Sequence, residues 1–294
     1  MKQVLSFGAG VQSTALLLMS CRGLLPKLDA AIFADVGNEP ATVYSHLEWC
    51  INEAKKFDIP VHVVRGTVDG LRLDVLNNIT RIDGGPVPIL PCFTAEVEGK
   101  RDGITMRQCT SDYKIRPVMK CLKRDVLKFK PKARLPKTPV VQQWIGISYD
   151  EISRAKPSRE PWSTSVFPFL NWGIDSPDGE MWRRYKIRQW LEKNYPDIEV
   201  PRSACIVCPF HSNKEWRKIK QNPEEWAQAV EFDKAIRVDK RKRFRKDGKP
   251  YTVMKQKKYL HSSCKPLDEV DLRSDEEKGQ GVLWDNECEG MCGM

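Results

Sequence analysis

Cysteines are the residues of this chain whose spacing first indicates chemistry. Cys205 and Cys208 are separated by two residues, a spacing that offers two thiolates to one metal ion. A second close pair, Cys288 and Cys292, lies near the end of the sequence, and Cys109 is a fifth candidate ligand. Four thiolates in two pairs suffice for a zinc ion or a 4Fe–4S cluster. The Cys205–Cys208 pair by itself could also be redox-active or inert, and these alternatives stay open.

A run of small residues between an apolar strand and a helix indicates a phosphate site. The run spans 6–13 and consists of Ser6, Phe7, Gly8, Ala9, Gly10, Val11, Gln12 and Ser13. Small residues let the backbone approach an anion, while N–H groups and the helix N-terminus point toward it. The run is neither a P-loop with its lysine nor Gly-x-Gly-x-x-Gly. A tight turn without a ligand is the alternative.

The end of the second apolar run supplies another candidate. Asp35 ends the run that begins at residue 30, and Gly37 follows it. In a parallel sheet, this end lies beside the loop that follows the first strand. The Asp35 carboxylate is predicted to accept a hydrogen bond from a ribose hydroxyl or an amine, with capping of a turn as the alternative.

Basic side chains flank Cys109. Arg107, Lys114 and Arg116 are close to it in sequence, and a sulfated or phosphorylated ligand needs such cations. Arg154 is a further candidate. For each of them, a surface charge without a ligand is the alternative. His211 follows the cysteine pair closely and is interpreted as a structural histidine rather than a ligand.

Apolar and helical stretches alternate over the first 200 residues and must position these side chains. Strands are predicted at 4–7, 30–34, 61–64 and 140–148, and helices at 14–20, 41–56 and 181–193. Gly23 is expected to end the first helix, and Asn222 with Pro223 to begin another. The segments 84–91, 128–139 and 161–177 are expected to be loops. The pattern predicts an α/β fold with a doubly wound parallel sheet, whose ligand-binding loops gather at one edge.

The charge of the chain is uneven. The net charge is +10, from 49 basic and 39 acidic residues. The segments 99–137 and 234–258 each carry about +10, so the rest of the chain is acidic. Two basic segments favour a polyanion or a phosphorylated ligand, and solvated loops are the alternative. The segment 240–246, followed by a predicted turn and strand, suggests a basic hairpin that keeps nucleic acid open as a partner.

Composition limits the class of protein. The chain has 40% hydrophobic residues and 10 cysteines, which excludes wholesale disorder. We expect no membrane span, no signal peptide and a cytoplasmic location, where a disulfide framework is uncommon. Cys21 and Cys50 are expected to lie in the core. A boundary near residue 200 is expected to separate an α/β domain, 1–200, from a basic cysteine-bearing region, 201–294.

The ordered motifs resemble the phosphoadenylyl-sulfate (PAPS) reductase branch of the adenine-nucleotide α-hydrolase (PP-loop) group. The family's Ser-Phe-Gly is echoed at 6–8, and its Asp-Thr-Gly with a following Pro-Glu-Thr at 35–42. Its Gly-Ile segment with a later arginine is echoed by Gly146, Ile147 and Arg154. The resemblance covers roughly residues 1–210. It departs at Gln12, where ATP-using members carry an acid, and in an insertion of about two residues after Gly8.

The resemblance implies an adenine-nucleotide site. It would use eleven residues: Ser6, Phe7, Gly8, Ala9, Gly10, Gln12, Ser13, Asp35, Gly37, Gly146 and Arg154. The nucleotide is ATP, adenylyl sulfate (APS) or PAPS. Arg107, Lys114 and Arg116 would bind the sulfate or phosphate of the substrate.

The resemblance also assigns the cysteines. Cys109 matches the first of two adjacent ligands in iron–sulfur APS reductases, with Thr110 at the second, and Cys205 and Cys208 match the later pair. Those enzymes end in Glu-Cys-Gly, whose thiol attacks sulfur, and the tail around Cys288 and Cys292 is similar. The implied metal ligands are Cys109, Cys205, Cys208, Cys288 and Cys292. The implied catalytic residues are Cys292, Cys288 and Cys109.

Three functions remain open from the sequence. The first is a reductase of an adenylyl-sulfate-type nucleotide, served by an external thiol or a thioredoxin-like reductant. The second is an ATP-dependent iron–sulfur sulfurtransferase that modifies nucleic acid, which Gln12 disfavours and the basic segments favour. The third is a nucleotide- or nucleic-acid-binding protein with a structural zinc.

Overall fold

The computed structural model describes residues 1–79, 90–237, 242–244, 247, 250–252, 256–273 and 277. The strands within them are β1 Lys2–Phe7, β2 Ala30–Asp35, β3 Val61–Arg65, β4 Phe93–Ala95, β5 Gly103–Ile104, β6 Val141–Ile145, β7 Ser163–Val166, β8 Lys242–Phe244, β9 Pro250–Thr252 and β10 Lys257–Tyr259. The helices are α1 Val11–Cys21, α2 Ala41–Lys55, α3 Gly70–Ile79, α4 Arg116–Cys121, α5 Arg184–Asn194, α6 Asn213–Gln221 and α7 Pro223–Arg237.

A five-stranded sheet of order β3–β2–β1–β6–β7 forms the centre of the fold, and every neighbouring pair is parallel. Its strand β2 is buried along its whole length, as expected for an apolar strand covered on both faces. Parallel pairing places the carboxyl ends of all five strands at one edge. The predicted α/β class with a parallel sheet is confirmed.

Helices cover the sheet on both faces. The helix α1 has ten buried residues of eleven and packs with α2 and α5 over one face. A helical stretch at 110–126 packs with Val4, Ile32 and Trp162 on the other; its middle is α4, and its two ends are wound as π-helix. The strands predicted at 4–7, 30–34 and 61–64 are β1, β2 and β3, and the helix predicted at 41–56 is α2.

Two helix ends lie where the sequence predicts them, and one predicted loop contains a strand. Gly23, with φ of +69°, follows the end of α1 as predicted, and Pro223 begins α7 with Asn222 accepting from its first N–H groups. The expectation that 161–177 is entirely loop was wrong, because β7 lies inside it. This strand has four residues, lies between Pro161 and Pro168 in the sequence, and pairs with β6 alone among the described strands. Its apolar signal is therefore short.

Two smaller sheets follow from the remaining strands. β10, β4 and β5 form an antiparallel sheet of three strands, and β8 pairs with β9. The antiparallel β8–β9 pair agrees with the basic hairpin expected from the segment 240–246 and the strand predicted at 251–254, parts of which lie outside the described residues. No helix in the described ranges is long and apolar enough to cross a bilayer.

One hydrophobic cluster contains residues from before and after residue 200. Val36, Leu71 and Tyr113 share it with Trp216 and Phe232. The helices that follow residue 200, α6 and α7, therefore pack on segments that precede it. The division into 1–200 and 201–294 stays a prediction.

Candidate functional site

The glycine loop lies where β1 ends and α1 begins, at the carboxyl edge of the sheet. Ala9 has φ of +53°, a left-handed conformation that turns the loop sharply. The Ser13 hydroxyl oxygen accepts from the N–H groups of Gly8 at 3.2 Å and Gly10 at 3.3 Å. Ser13 therefore holds the shape of the loop from within the first turn of α1. That turn contains no acidic residue.

Gly146 follows β6 and touches the start of α1. A β-carbon on Gly146 would lie 3.0 Å from both the Gln12 β-carbon and the Ser13 nitrogen. Such contacts are tighter than most in a close-packed interior, so a larger residue would require its neighbours to shift. The glycine at 146 therefore suits the close approach of the segments that follow β1 and β6, and Gly146 lies beside the predicted nucleotide site.

Gln12, Glu151 and Arg154 form a polar group beside this contact. The Gln12 amide donates to a Glu151 carboxylate oxygen at 3.4 Å, and Arg154 pairs with the other oxygen at 2.5 Å. Burial raises the pKa of Glu151 above its usual range, against the opposing effect of Arg154. A carboxylate thus lies next to Gln12, within the loop region expected to bind the nucleotide.

Asp35 is buried, and the described structure uses both of its oxygens. One oxygen accepts from Gly37 N–H at 2.7 Å and from the Tyr44 hydroxyl at 2.8 Å, and the other pairs with Arg65 at 2.7 Å. Burial, with the hydrogen bond to Asp35, raises the pKa of Tyr44 above its usual range. Asp35 therefore caps the turn at the end of β2, the alternative left open by the sequence.

Gly37 allows the same turn to approach α3. Its φ is +74°, and a β-carbon there would lie 2.9 Å from the Gly70 α-carbon. This close approach packs the loops that follow β2 and β3 against each other, so Gly37 shapes the site edge.

Glu39 is a site residue that sequence reasoning missed. It is 4% exposed, and its Oε2 has no hydrogen-bond partner within the described part of the chain. Burial raises the pKa of Glu39, and the nearby Lys114 and His211 oppose that shift. Its neighbour Asn38 also carries a buried oxygen without a described partner. Only its position after the β2 run could have indicated Glu39, since nothing in its local sequence marks it as buried.

The segment that contains Cys205 and Cys208 packs against the loop that follows β2. Cys208 N–H donates to the Cys205 carbonyl at 3.0 Å, which closes a turn between the two thiols. Ile206 N–H donates to the Asn38 carbonyl at 2.8 Å, and His211 Nε2 lies 2.9 Å from the Cys205 carbonyl. The interpretation of His211 as structural agrees with this contact.

Cys109 precedes the helical stretch 110–126 and shares a hydrophobic cluster with Cys205 of the cysteine pair. Like Cys205, it is half-buried. Arg107 stacks over the Phe210 ring at 5.5 Å, and Lys114 lies near Glu39. The Arg116 side chain is 74% exposed and pairs with Asp112 at 3.0 Å. The fold therefore brings Cys109, Arg107 and Lys114 toward the site, while Arg116 faces solvent.

The fit of a metal ion can be tested on the donor set. Within the ranges that the structure describes, no three side chains of His, Cys, Asp or Glu are grouped to hold one ion. Cys109, Cys205 and Cys208 thus do not form a complete site by themselves. Cys288 and Cys292 lie outside the described residues, so their assignment as ligands or nucleophiles stays a prediction.

A cleft of about 890 Å³ opens beside the glycine loop, between α2, α5 and α6. Of the run 6–13, only Val11 is among its lining residues. Helix starts meet there, but acidic side chains already cap two of them: Glu225 accepts from Ala41 N–H at 2.8 Å, and Asp150 from Arg184 N–H at 2.6 Å. The cleft is therefore not a simple anion site.

The basic residues of the segment 99–137 lie at two different edges of the sheet. Arg107 and Lys114 lie at the carboxyl edge, whereas the exposed loop 128–134 leads toward the amino end of β6, where Val141 pairs with Lys2. One bound polyanion would have to span the sheet to contact both groups.

No family model matches the chain, and the search of curated proteins finds no match. The case for a function is therefore carried by the residues of this chain.

Proposed function

We propose that this chain binds an adenine nucleotide at the carboxyl edge of its sheet and reduces an adenylyl-sulfate-type substrate, as PAPS and APS reductases do. The observation that carries the proposal is the glycine loop at the junction of central strand β1 with α1. Ligands of open parallel sheets bind at this edge, outside the carboxyl ends of the strands. The placement of Gly146 and Gln12 against the same loop supports a single site.

The start of α1 suits a phosphate group. The first N–H groups of a helix have no partner within it, and the helix dipole adds a partial positive charge there. Because the first turn of α1 has no acidic side chain, no carboxylate of that turn competes with a bound anion. The nucleotide phosphate is placed here.

Arg107 and Lys114 are assigned to the sulfate end of the substrate. They lie on either side of Cys109 in the sequence, at the same edge of the sheet as the glycine loop. A guanidinium can bind two oxygens of a sulfate at once, and an ammonium supplies a point charge. Their positive charge would also stabilise negative charge that develops as the sulfur–oxygen bond breaks.

The reaction proceeds by attack of a cysteine thiolate on the substrate sulfur. A new S–S bond forms, and the bond from sulfur to the phosphate oxygen breaks. AMP or its 3′-phosphate leaves with that electron pair, and the enzyme carries a thiosulfonate. An external dithiol then supplies two electrons: its first thiol forms a mixed disulfide and releases sulfite, and its second thiol frees the enzyme thiol.

Three cysteines are candidates for the attacking thiol. Cys292 and Cys288 are favoured by the resemblance of the tail, and Cys109 by its half-buried place at the site. A 4Fe–4S cluster, or zinc, bound by Cys109, Cys205, Cys208 and a tail cysteine stays part of the proposal, and no step above uses it.

The test is sulfite release from APS or PAPS by reduced, anaerobically purified protein with a dithiol. In a single turnover without the dithiol, we expect the sulfonate to remain bound to one cysteine, which mass spectrometry identifies. Cys292→Ser is expected to abolish release, and Cys264→Ser, a buried cysteine outside the site, to leave it unchanged. If the nucleotide binds but is not reduced, the chain is a binding protein instead.

ATP-dependent sulfur transfer to nucleic acid is the second candidate. The observation that favours it is the Glu151 carboxylate, which the fold places next to Gln12. A carboxylate at this position could help to hold a magnesium ion on the phosphates of ATP. Pyrophosphate release from Mg-ATP in the presence of RNA, without sulfite release from APS, would select this function.

A further inference from the structure

Ser203 lies against the open face of the glycine loop, 190 residues further along the chain than Ser13. A β-carbon on Gly10 would lie 3.2 Å from the Ser203 β-carbon. A β-carbon on Gly8 would lie 3.4 Å from the Ser203 hydroxyl oxygen and 3.8 Å from that of Ser13. Two hydroxyl groups therefore approach Gly8 from different parts of the sequence, and the glycines leave room for Ser203.

The backbone around Ser203 is held on both sides. Ala204 N–H donates to the Arg202 carbonyl at 3.0 Å, so Ser203 is the middle residue of a three-residue turn. Arg202 is anchored by Glu215 and by the Phe210 carbonyl at 3.1 Å. Ile206 is tied to the β2 loop through Asn38. The position of Ser203 on the loop is thus set by contacts independent of its own side chain.

The hydroxyl of Ser203 is available to a ligand. Within the described part of the chain it makes no hydrogen bond, and the residue is half-buried. The Ser13 hydroxyl, in contrast, is occupied by the loop itself. The run 6–13 has no lysine, so a hydroxyl donor from another segment would add to its backbone N–H groups.

We propose that Ser203 is a phosphate-binding residue, whose hydroxyl donates to a phosphoryl oxygen of the nucleotide held on the glycine loop. The proposal rests on the proposed nucleotide site and adds a second segment to it. The phosphate site is then complete only when the segment that contains Cys205 and Cys208 is seated on the loop.

The experiment measures the affinity of the purified full chain for AMP and for adenosine by calorimetry. The Ser203→Ala variant is expected to bind AMP about 10-fold more weakly, a loss of about 1.4 kcal/mol, because it lacks a hydrogen bond to a charged phosphate. Adenosine has no phosphate, so its affinity is expected to be unchanged. Ser203→Thr keeps the hydroxyl and should restore most of the AMP affinity.

Controls separate this proposal from the proposed function. Ser262→Ala removes an exposed hydroxyl elsewhere and should change neither affinity. Ser203→Cys keeps the size with a much weaker donor, and serves if the alanine variant does not fold. If wild-type protein binds AMP and the Ser203 variants bind it equally well, or lose AMP and adenosine affinity alike, the role of Ser203 is overturned while the nucleotide site stands. If wild-type protein binds no nucleotide, the proposed function itself fails.

Discussion

The Gln12 side chain donates a hydrogen bond to Glu151 across 3.4 Å and so joins the first turn of α1 to the turn that follows β6. Residues 12 and 151 belong to the segments that follow two adjacent strands, β1 and β6. Gly146 lies close to the Gln12 β-carbon, so the two segments also approach each other through backbone. The polar group and the close backbone approach therefore act together in shaping one side of the proposed nucleotide site.

Gly146→Ala is expected to disturb this contact. The added β-carbon would lie 3.0 Å from the Ser13 nitrogen, which belongs to backbone and cannot rotate away. We expect the free energy of unfolding to fall by about 1–3 kcal/mol and AMP affinity to weaken with it. Denaturant unfolding and calorimetry measure the two effects.

Gly103→Ala is the matched control for that substitution. A β-carbon on Gly103 would meet only the Thr94 hydroxyl at 3.5 Å, an ordinary contact. Its effect should stay within about 0.5 kcal/mol. Equal effects of the two substitutions would contradict the tight packing at Gly146.

The central sheet could be predicted because its signal is local. The runs at β1, β2 and β3 are short, apolar and bounded by glycine, proline or helical stretches, and the crossover rule then fixes one binding edge. The edge strand β7 was missed, because four residues between prolines carry little pattern. The helical stretch at 110–126 was not predicted either, since its basic side chains obscure its apolar face.

The placement of candidate residues could be predicted where they follow strand ends and not where it depends on long-range packing. Gly146 could be placed near the glycine loop from strand order alone. Ser203 and Glu39 could not, because the close approach of residue 203 to residue 10 and the burial of residue 39 depend on how later segments pack on the sheet edge. For Asp35 the sequence left a ligand and a turn cap open, and the structure shows contacts of the second kind with Arg65, Tyr44 and Gly37, partners that no local pattern reveals.

Asp233 should be among the residues most important for stability. It is fully buried, pairs with Arg237, and accepts from the N–H groups of Leu260 and Leu267 at 2.9 Å each. Asp233→Ala leaves those donors without an acceptor and removes the carboxylate partner of the half-buried Arg237. We expect a loss of about 3–5 kcal/mol in the free energy of unfolding, measured by urea denaturation.

An exposed aspartate provides the comparison. Asp271 pairs with Arg273 at 2.8 Å, and both side chains are largely exposed. Asp271→Ala should cost less than about 1 kcal/mol. A loss of similar size at both positions would show that the buried network around Asp233 does not hold α7 to the segment that follows it.

His46 predicts a pH dependence of stability. It is buried between Thr14 at 3.0 Å and Cys50 at 3.4 Å, and burial lowers its pKa to about 4 from the ordinary 6.5. The folded state therefore favours the neutral ring. Its contribution is fully present above pH 6.5 and is lost as the pH falls toward 4, because the unfolded chain binds the proton more tightly.

The measurement is the free energy of unfolding between pH 7 and pH 4 for wild type and His46→Gln. Wild type should lose on the order of 2 kcal/mol more than the variant over this range. His62→Gln, on the edge strand β3, should follow the wild-type curve. Parallel curves for wild type and His46→Gln would contradict the assignment.

Thiol reactivity distinguishes the cysteines at the site from those in the core. Burial raises the pKa of Cys50 and Cys92 to about 12, and of Cys21 and Cys121 to about 11. The thiolate is the reactive form, and each pKa unit reduces its population about tenfold. Cys109 and Cys205, in contrast, are half-buried at the site edge.

Iodoacetamide at pH 7.5 should therefore modify Cys109 and Cys205 before any other of the eight described cysteines. Peptide mass spectrometry over a time course measures the order. In denaturant, all eight should react at similar rates, which is the control for intrinsic peptide effects.

AMP at saturating concentration is expected to slow the modification of Cys205 more than that of Cys109, because Cys205 lies two residues beyond Ser203 on the segment that the nucleotide is proposed to hold against the glycine loop. Modification of Cys50 or Cys92 ahead of Cys109 would contradict the burial of those thiols.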